Sequence, residues 1–144
     1  MVSTTHDYTR FCLMLAGGGQ LDGVRILSSK TLAYMTQNHL PGGQDMKSMY
    51  KQTVYSEVQG AGAGFGLGFS VVFDPVAYGT VTSSGAYAWG GAAATVFWLD
   101  PAEDLAVVFM TQVMGYPLEP LRPQLERLVY ASFADEQPSE WAKL

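Results

Sequence analysis

Two short stretches of this chain bring together residue types at spacings that chemistry uses. Ser48-Met49-Tyr50-Lys51 sets a hydroxyl three residues ahead of an amine. Where such a serine opens a helix, the lysine one turn along serves as its base. Trp89-Gly90-Gly91-Ala92 sets an aromatic face and two glycines against a small residue, then runs into the strand-forming stretch Thr95 to Leu99. Glycine beside a strand gives up packing and entropy, so it marks a bulge or a close approach by another backbone or a ligand. Two readings follow: a simple bend between strands, or unshielded backbone N–H groups with which an extended substrate pairs. Trp89 is likewise either a core aromatic or a broad apolar face for a bound group.

Other chemistries are poorly served. His6 and His39 lie far apart with only Cys12 as a soft companion, so neither a metal site nor a cofactor is expected. His6 reads as a surface residue at a helix start. The glycine run from Gly60 to Gly68 lacks the Gly-x-Gly-x-x-Gly and Gly-Lys-Ser/Thr spacings. It also leads into a strand, whereas phosphate cradles open a helix. Lys51 alone interleaves Tyr50, Tyr55, Phe65, Phe69 and Trp98, too little positive charge for a nucleic-acid stacking platform. A net charge of −5 with eight Lys and Arg argues against a nucleic-acid partner too.

The elements that must position these residues are legible in outline. Thr4 or Thr5 caps a first helix carrying the stripe Tyr8, Phe11, Cys12, Leu15, with Gly17 as its stop. Gln20 to Leu27 turns at Asp22-Gly23. Ser28 or Ser29 caps a second helix running to about Asn38, with Leu32 and Met35 inward. Leu40 to Gly64 reads as a long irregular loop. Gly66 to Phe73 is the first strand, ended by the turn signal Asp74-Pro75, and Val81 to Trp89 approaches the glycine motif. Ala93 to Leu99 and Leu105 to Val113 form a hairpin around Asp100-Pro101. Pro120 to Phe133 is a last helix with Leu121, Leu125, Leu128 and Phe133 toward the sheet. From about residue 134 the chain is a polar tail.

At 144 residues and 48% hydrophobic, the chain supports one domain, residues 1–144, with its own core. Its lone cysteine excludes an intramolecular disulfide and, on a helical apolar stripe, reads as a buried thiol. No apolar run approaches membrane-spanning length, and the basic-then-apolar order of a signal peptide is missing from the first residues. A soluble, cytoplasmic chain is expected, with no membrane partner.

Trp89-Gly90-Gly91 followed by an aromatic strand and Asp100-Pro101 resembles the third motif of serine hydrolases related to class C β-lactamases and penicillin-binding proteins, in the family VIII esterase branch. Ser3-Thr4-Thr5-His6-Asp7-Tyr8, Gly17-Gly18-Gly19, Leu21-Asp22-Gly23-Val24-Arg25 and Gly64-Phe65-Gly66-Leu67-Gly68-Phe69 are similar to that family's C-terminal half, in the same order. The family's nucleophile motif, Ser-x-x-Lys, and its Tyr-x-Asn motif lie upstream in that pattern, and no Tyr-x-Asn occurs here. Ser48 and Lys51 match the first motif literally. They sit between Pro41-Gly42-Gly43-Gln44-Asp45 and Gln59 to Gly64, which read as loop, whereas a catalytic serine needs a rigid mount.

The resemblance implies an α+β fold, an antiparallel sheet of about three to four strands packed by helices, lacking the family's N-terminal part. It implies that the Ala92 N–H is one oxyanion donor and that Trp89, Gly90, Gly91 and Tyr87 line the substrate site. Where the lactamase version has a lysine and a hydroxyl residue, Trp89 and Gly90 stand here. They offer no charge-assisted bonds to a substrate carboxylate, which tilts the activity toward a small neutral ester or amide. The N-terminal strands that complete the family's sheet would pair beside Leu105–Val113. Without them that strand is an open apolar edge, so a homo-oligomer, or completion by the missing N-terminal portion, is expected.

Overall fold

The computed structural model describes residues 2–49, 60–114 and 121–133. The first helix, α1 (Thr5–Ala16), begins where Thr4 accepts the Asp7 N–H on its side-chain oxygen, satisfying an orphan donor of the first turn. At Gly17, which follows α1, a Cβ would collide with the Gln20 carbonyl, so only glycine lets the chain fold back into the small hairpin β1 (Gln20–Leu21) and β2 (Val24–Arg25). Ser28 caps α2 (Ser29–Met35) through the Thr31 N–H.

A 3-10 turn, Pro41–Gly43, and a one-turn helix, α3 (Met46–Met49), follow. The expected loop from Leu40 to Gly64 is therefore partly ordered, and its residues 50–59 lie outside the described ones. It also ends in a strand, β3 (Ala63–Phe65), which pairs with β4 (Ser70–Val72). The strand expected over Gly66–Phe73 shortens accordingly, because Gly66 to Phe69 forms the tight connection, closed by the Gly66 N–H on the Phe69 carbonyl at 2.8 Å. Asp74-Pro75 does not merely turn the chain. Asp74 caps a one-turn helix, α4 (Pro75–Tyr78), with proline in its first turn.

β5 (Tyr87–Gly91), β6 (Thr95–Asp100), β7 (Leu105–Phe109) and α5 (Leu121–Ala131) complete the chain. The main sheet is antiparallel throughout, in the order β3-β4-β5-β6-β7. Its five strands exceed the three to four expected, because β3 was hidden among glycines; the α+β class holds.

Strand alternation sends side chains to the two faces of the sheet, and a third small cluster, Met46, Ala63, Val72 and Tyr78, forms at the β3 end. On one face Tyr87, Phe97, Leu99 and Val71 pack against Cys12, Met14 and Leu15 of α1 and Leu32 of α2. On the other, Ala88, Val96 and Trp98 meet Leu125 and Val129 of α5. Leu99 is 1% exposed, and burial of a side chain that size is worth about 1.5–3 kcal/mol. Cys12 is fully buried as expected, and burial pushes its thiol up to about 11. On α1, Phe11 is partly exposed and Met14 takes the inward place.

The inner face of α5 differs from expectation. Leu128 is 71% exposed and Phe133 also faces outward, while Arg122 and Glu126 are buried. The two buried charges pair with each other at 3.0 Å across one helical turn, which is what allows charged residues inside. Above the sheet end, the Tyr130 hydroxyl donates to the buried Asp100 carboxylate at 2.7 Å, clasping α5 to β6. The expected helix start at Pro120 and the tail from residue 134 lie outside the described residues.

Candidate active site

The third-motif residues stand on the β5–β6 hairpin, in the register Tyr87↔Leu99, Trp89↔Phe97 and Gly91↔Thr95. Ala92, Ala93 and Ala94 make a three-residue tip. Ala94 closes it by donating its N–H to the Gly91 carbonyl at 3.0 Å, with a positive φ of 61°. This is the type I turn plus left-handed residue that three-residue hairpins use. Glycine is the easy occupant of that last position, and alanine there carries a steric cost. The tip is therefore held by its surroundings. The Ala93 carbonyl accepts from the Thr111 hydroxyl at 2.6 Å and from the Val113 N–H at 3.2 Å.

Pinned in this way, the tip presents an exposed Ala92. Among the described residues no hydrogen bond engages the Ala92 N–H. Beside it opens a cavity of about 550 Å³, walled by Ala93 and Thr95 of the hairpin, by Met110–Gln112 after β7, and by Tyr8 with the segment leading into α1. Its lining carries the hydroxyls of Ser3, Thr4, Thr5, Thr95 and Thr111 and no formally charged side chain. Tyr8 packs its ring on Phe97 at 5.1 Å, and burial, then Cys12 nearby, raises its pKa, so its hydroxyl is neutral at pH 7.

Trp89 lies on the strand next to this cavity and is 37% exposed, its ring edge-to-face with Phe65 at 4.9 Å. One side is thus packed and another faces solvent, so Trp89 is not a fully buried core aromatic. Tyr87 departs from expectation. It is 3% exposed, packed with Phe69 at 5.2 Å, and burial pushes its hydroxyl up to about 12. Two residues before Trp89 on the same face, it reaches into the α1–α2 core and supports the strand without reaching the open site.

Ser48 lies on α3, exposed, with its hydroxyl donating to the Asp45 carbonyl at 2.8 Å and its N–H to Asp45 Oδ1 at 2.9 Å. These bonds close a local turn, with the hydroxyl proton committed to a carbonyl. Its proposed base, Lys51, lies outside the described residues. His6 is exposed at the start of α1, and His39 Nε2 meets the Tyr34 carbonyl at 2.7 Å. Among the described residues no three His, Cys, Asp or Glu side chains converge as a metal site. Sequence reasoning missed Thr111 and Tyr8 as parts of the site. A threonine directly after an apolar strand gives only a faint cue, since its role depends on the hairpin tip reaching it in space.

Residues 1–131 match the family described as Beta-lactamase. The chain belongs to that family. Two curated relatives, "Uncharacterized protein MT1414" and "Protein Rv1367c", both from Mycobacterium tuberculosis strains, are each 35% identical to this Beta-lactamase-family chain over 113 residues. The match covers 76% of this chain and 27% of each relative. A solved structure, "EstCE1, a hydrolase with promiscuous acyltransferase activity", superposes with a TM-score of 0.63 and 25% identity. That superposition covers 86% of this chain and 29% of EstCE1. The chain thus spans less than a third of the length of the relatives it matches.

Proposed function

We propose that this chain forms one wall of a serine-hydrolase active site that cleaves neutral carboxylic esters, and that it does not carry the nucleophile. The observation that carries the reading is the pinned hairpin tip with its unengaged Ala92 N–H beside an uncharged, hydroxyl-lined cavity. Acyl transfer needs a nucleophile, a base and donors aimed at the developing oxyanion. Ala92 supplies one donor. In the family pattern the second is the nucleophile's own N–H, which comes from elsewhere.

Trp89 and Gly90 stand where a lactamase has cationic and hydroxyl groups for a carboxylate. The uncharged cavity points the same way, as does the similarity to a protein described as a hydrolase with acyltransferase activity. The chain alone is then inactive, since loss of a single oxyanion donor already costs ~10²–10³ in rate, and here the nucleophile is lost as well. Completion by a separate N-terminal portion bearing Ser-x-x-Lys and Tyr-x-Asn is expected to restore hydrolysis of a short p-nitrophenyl ester but not of a chromogenic cephalosporin. Equal turnover of both, or of the cephalosporin alone, contradicts the ester assignment.

A further inference from the structure

A second cavity opens at the far end of the sheet from Ala92. Thr95, at one end of β6, lines the cavity beside the hairpin tip, and Asp100, at the other end, lines this one. The strand sets them about 17 Å apart. The second space measures about 260 Å³ and lies between the end of α1, the body of α2 and the ends of β5 to β7. A cavity of about 150 Å³ already takes benzene, while drug-sized ligands occupy about 300 Å³ and more. The fitting scale is one ring with a short substituent.

The walls divide by chemistry. Leu15, Leu32 and Leu99, all buried, make an apolar floor. Tyr87 adds its ring, and its hydroxyl, kept neutral by burial, meets no hydrogen-bond partner among the described residues. The two carboxylates of the lining differ in what already holds them. Asp100 accepts from Tyr130, Ser83 and Ala102. Asp104 stands exposed in the β6–β7 turn, and among the described residues no ion pair engages it. α1 ends at the same rim, where its last carbonyls carry partial negative charge. α2 also starts there, but Ser28 already caps its first turn. Among the lining residues there is no lysine, arginine or histidine.

We propose that this cavity binds a small organic cation, a single-ring body carrying a protonated amine, with the ring on the leucine floor and the ammonium on Asp104. Size sets the body, and the unpaired acid at an otherwise uncharged rim sets the sign of the head group. The Tyr87 hydroxyl is a further acceptor for the ammonium. The inference concerns a site apart from Ala92 and does not depend on the ester reading.

NMR titration of the isotope-labelled chain with phenethylamine, 2-phenylethanol and phenylacetate tests size and sign together. The amine is expected to move the amides of Gly18, Ala33 and Leu105, which line the cavity, and to bind roughly tenfold tighter than phenylacetate, with the alcohol between them. Asp104 has a positive φ of 49°, a conformation that asparagine takes as readily. Asp104→Asn is therefore expected to keep the turn, to weaken the amine roughly three- to fivefold and to leave the alcohol unchanged. Ala33→Trp, at an exposed lining position, is expected to abolish binding of both, and the same spectra show that each variant is folded. Amine shifts absent from these amides, phenylacetate binding as tightly as the amine, or unweakened amine binding in folded Asp104→Asn or Ala33→Trp overturns the proposal.

Discussion

Ala92 can act as a fixed donor only if the tip it sits on does not move, and the tip is held through one neighbouring carbonyl. Thr111 and Val113 both donate to Ala93, while Ala94 sits in a conformation alanine does not seek. Thr111→Val keeps the shape and removes one of the two bonds, which should cost about 1 kcal/mol. Faster hydrogen exchange at the Ala94 amide, with the α1 amides unchanged, is the expected signature by NMR. Unchanged exchange at Ala94 would mean the hydroxyl does not hold the tip. The sequence shows Trp89-Gly90-Gly91-Ala92 plainly, because glycines before an aromatic strand are rare without cause. Thr111 is invisible there, since its partner lies eighteen residues away and is met only once the hairpin folds. Tyr87 was misplaced for a related reason: it shares its face of the strand with Trp89, and position within a motif does not say that two residues earlier that face is already covered by α1 and α2.

At the scale of elements, α5 is fastened by polar groups as much as by apolar ones. Burial alone would raise the Asp100 carboxyl, but hydrogen bonds from Tyr130, Ser83 and Ala102 outweigh it and hold the group below the usual carboxylate range. Asp100 thus contributes stability that is fully present above its unfolded value of about 3.9 and is lost as pH falls through the lower, folded value. Burial is also the largest influence on Tyr130, and with Asp100 beside it the phenol is raised. Its contribution is present below the unfolded value of about 10 and fades as pH rises through the folded one. Chemical denaturation should therefore show Tyr130→Phe costing about 1.5–3 kcal/mol at neutral pH, as for a bond to a charged group. The gap from wild type should narrow below about pH 4. A cost that does not change with pH would assign it to packing alone. The β6–β7 hairpin was legible because Asp100-Pro101 announces its turn. β3 was not, because its glycine, Gly64, follows from the approach of Asn38, a contact between segments 26 residues apart. The inner face of α5 was misread because apolar periodicity assigns Leu128 inward and cannot see that Arg122 and Glu126 neutralise each other.

Among the described residues three hydrophobic clusters form about the main sheet, in a chain matched to 27% of each Mycobacterium tuberculosis relative and 29% of EstCE1. Its family was legible from motif order, because five separated stretches fall in the order of the family pattern they resemble. Which chemistry this length of chain performs is less legible, since Ser48-Met49-Tyr50-Lys51 satisfies a nucleophile pattern and only the structure shows the Ser48 hydroxyl turned back onto Asp45. The proposed function rests on this chain being a wall without a nucleophile. Intact-mass spectrometry after incubation with a fluorophosphonate probe tests that claim most directly. The account predicts that the folded chain gains no adduct. Stoichiometric labelling at Ser48, abolished in Ser48→Ala, would contradict it.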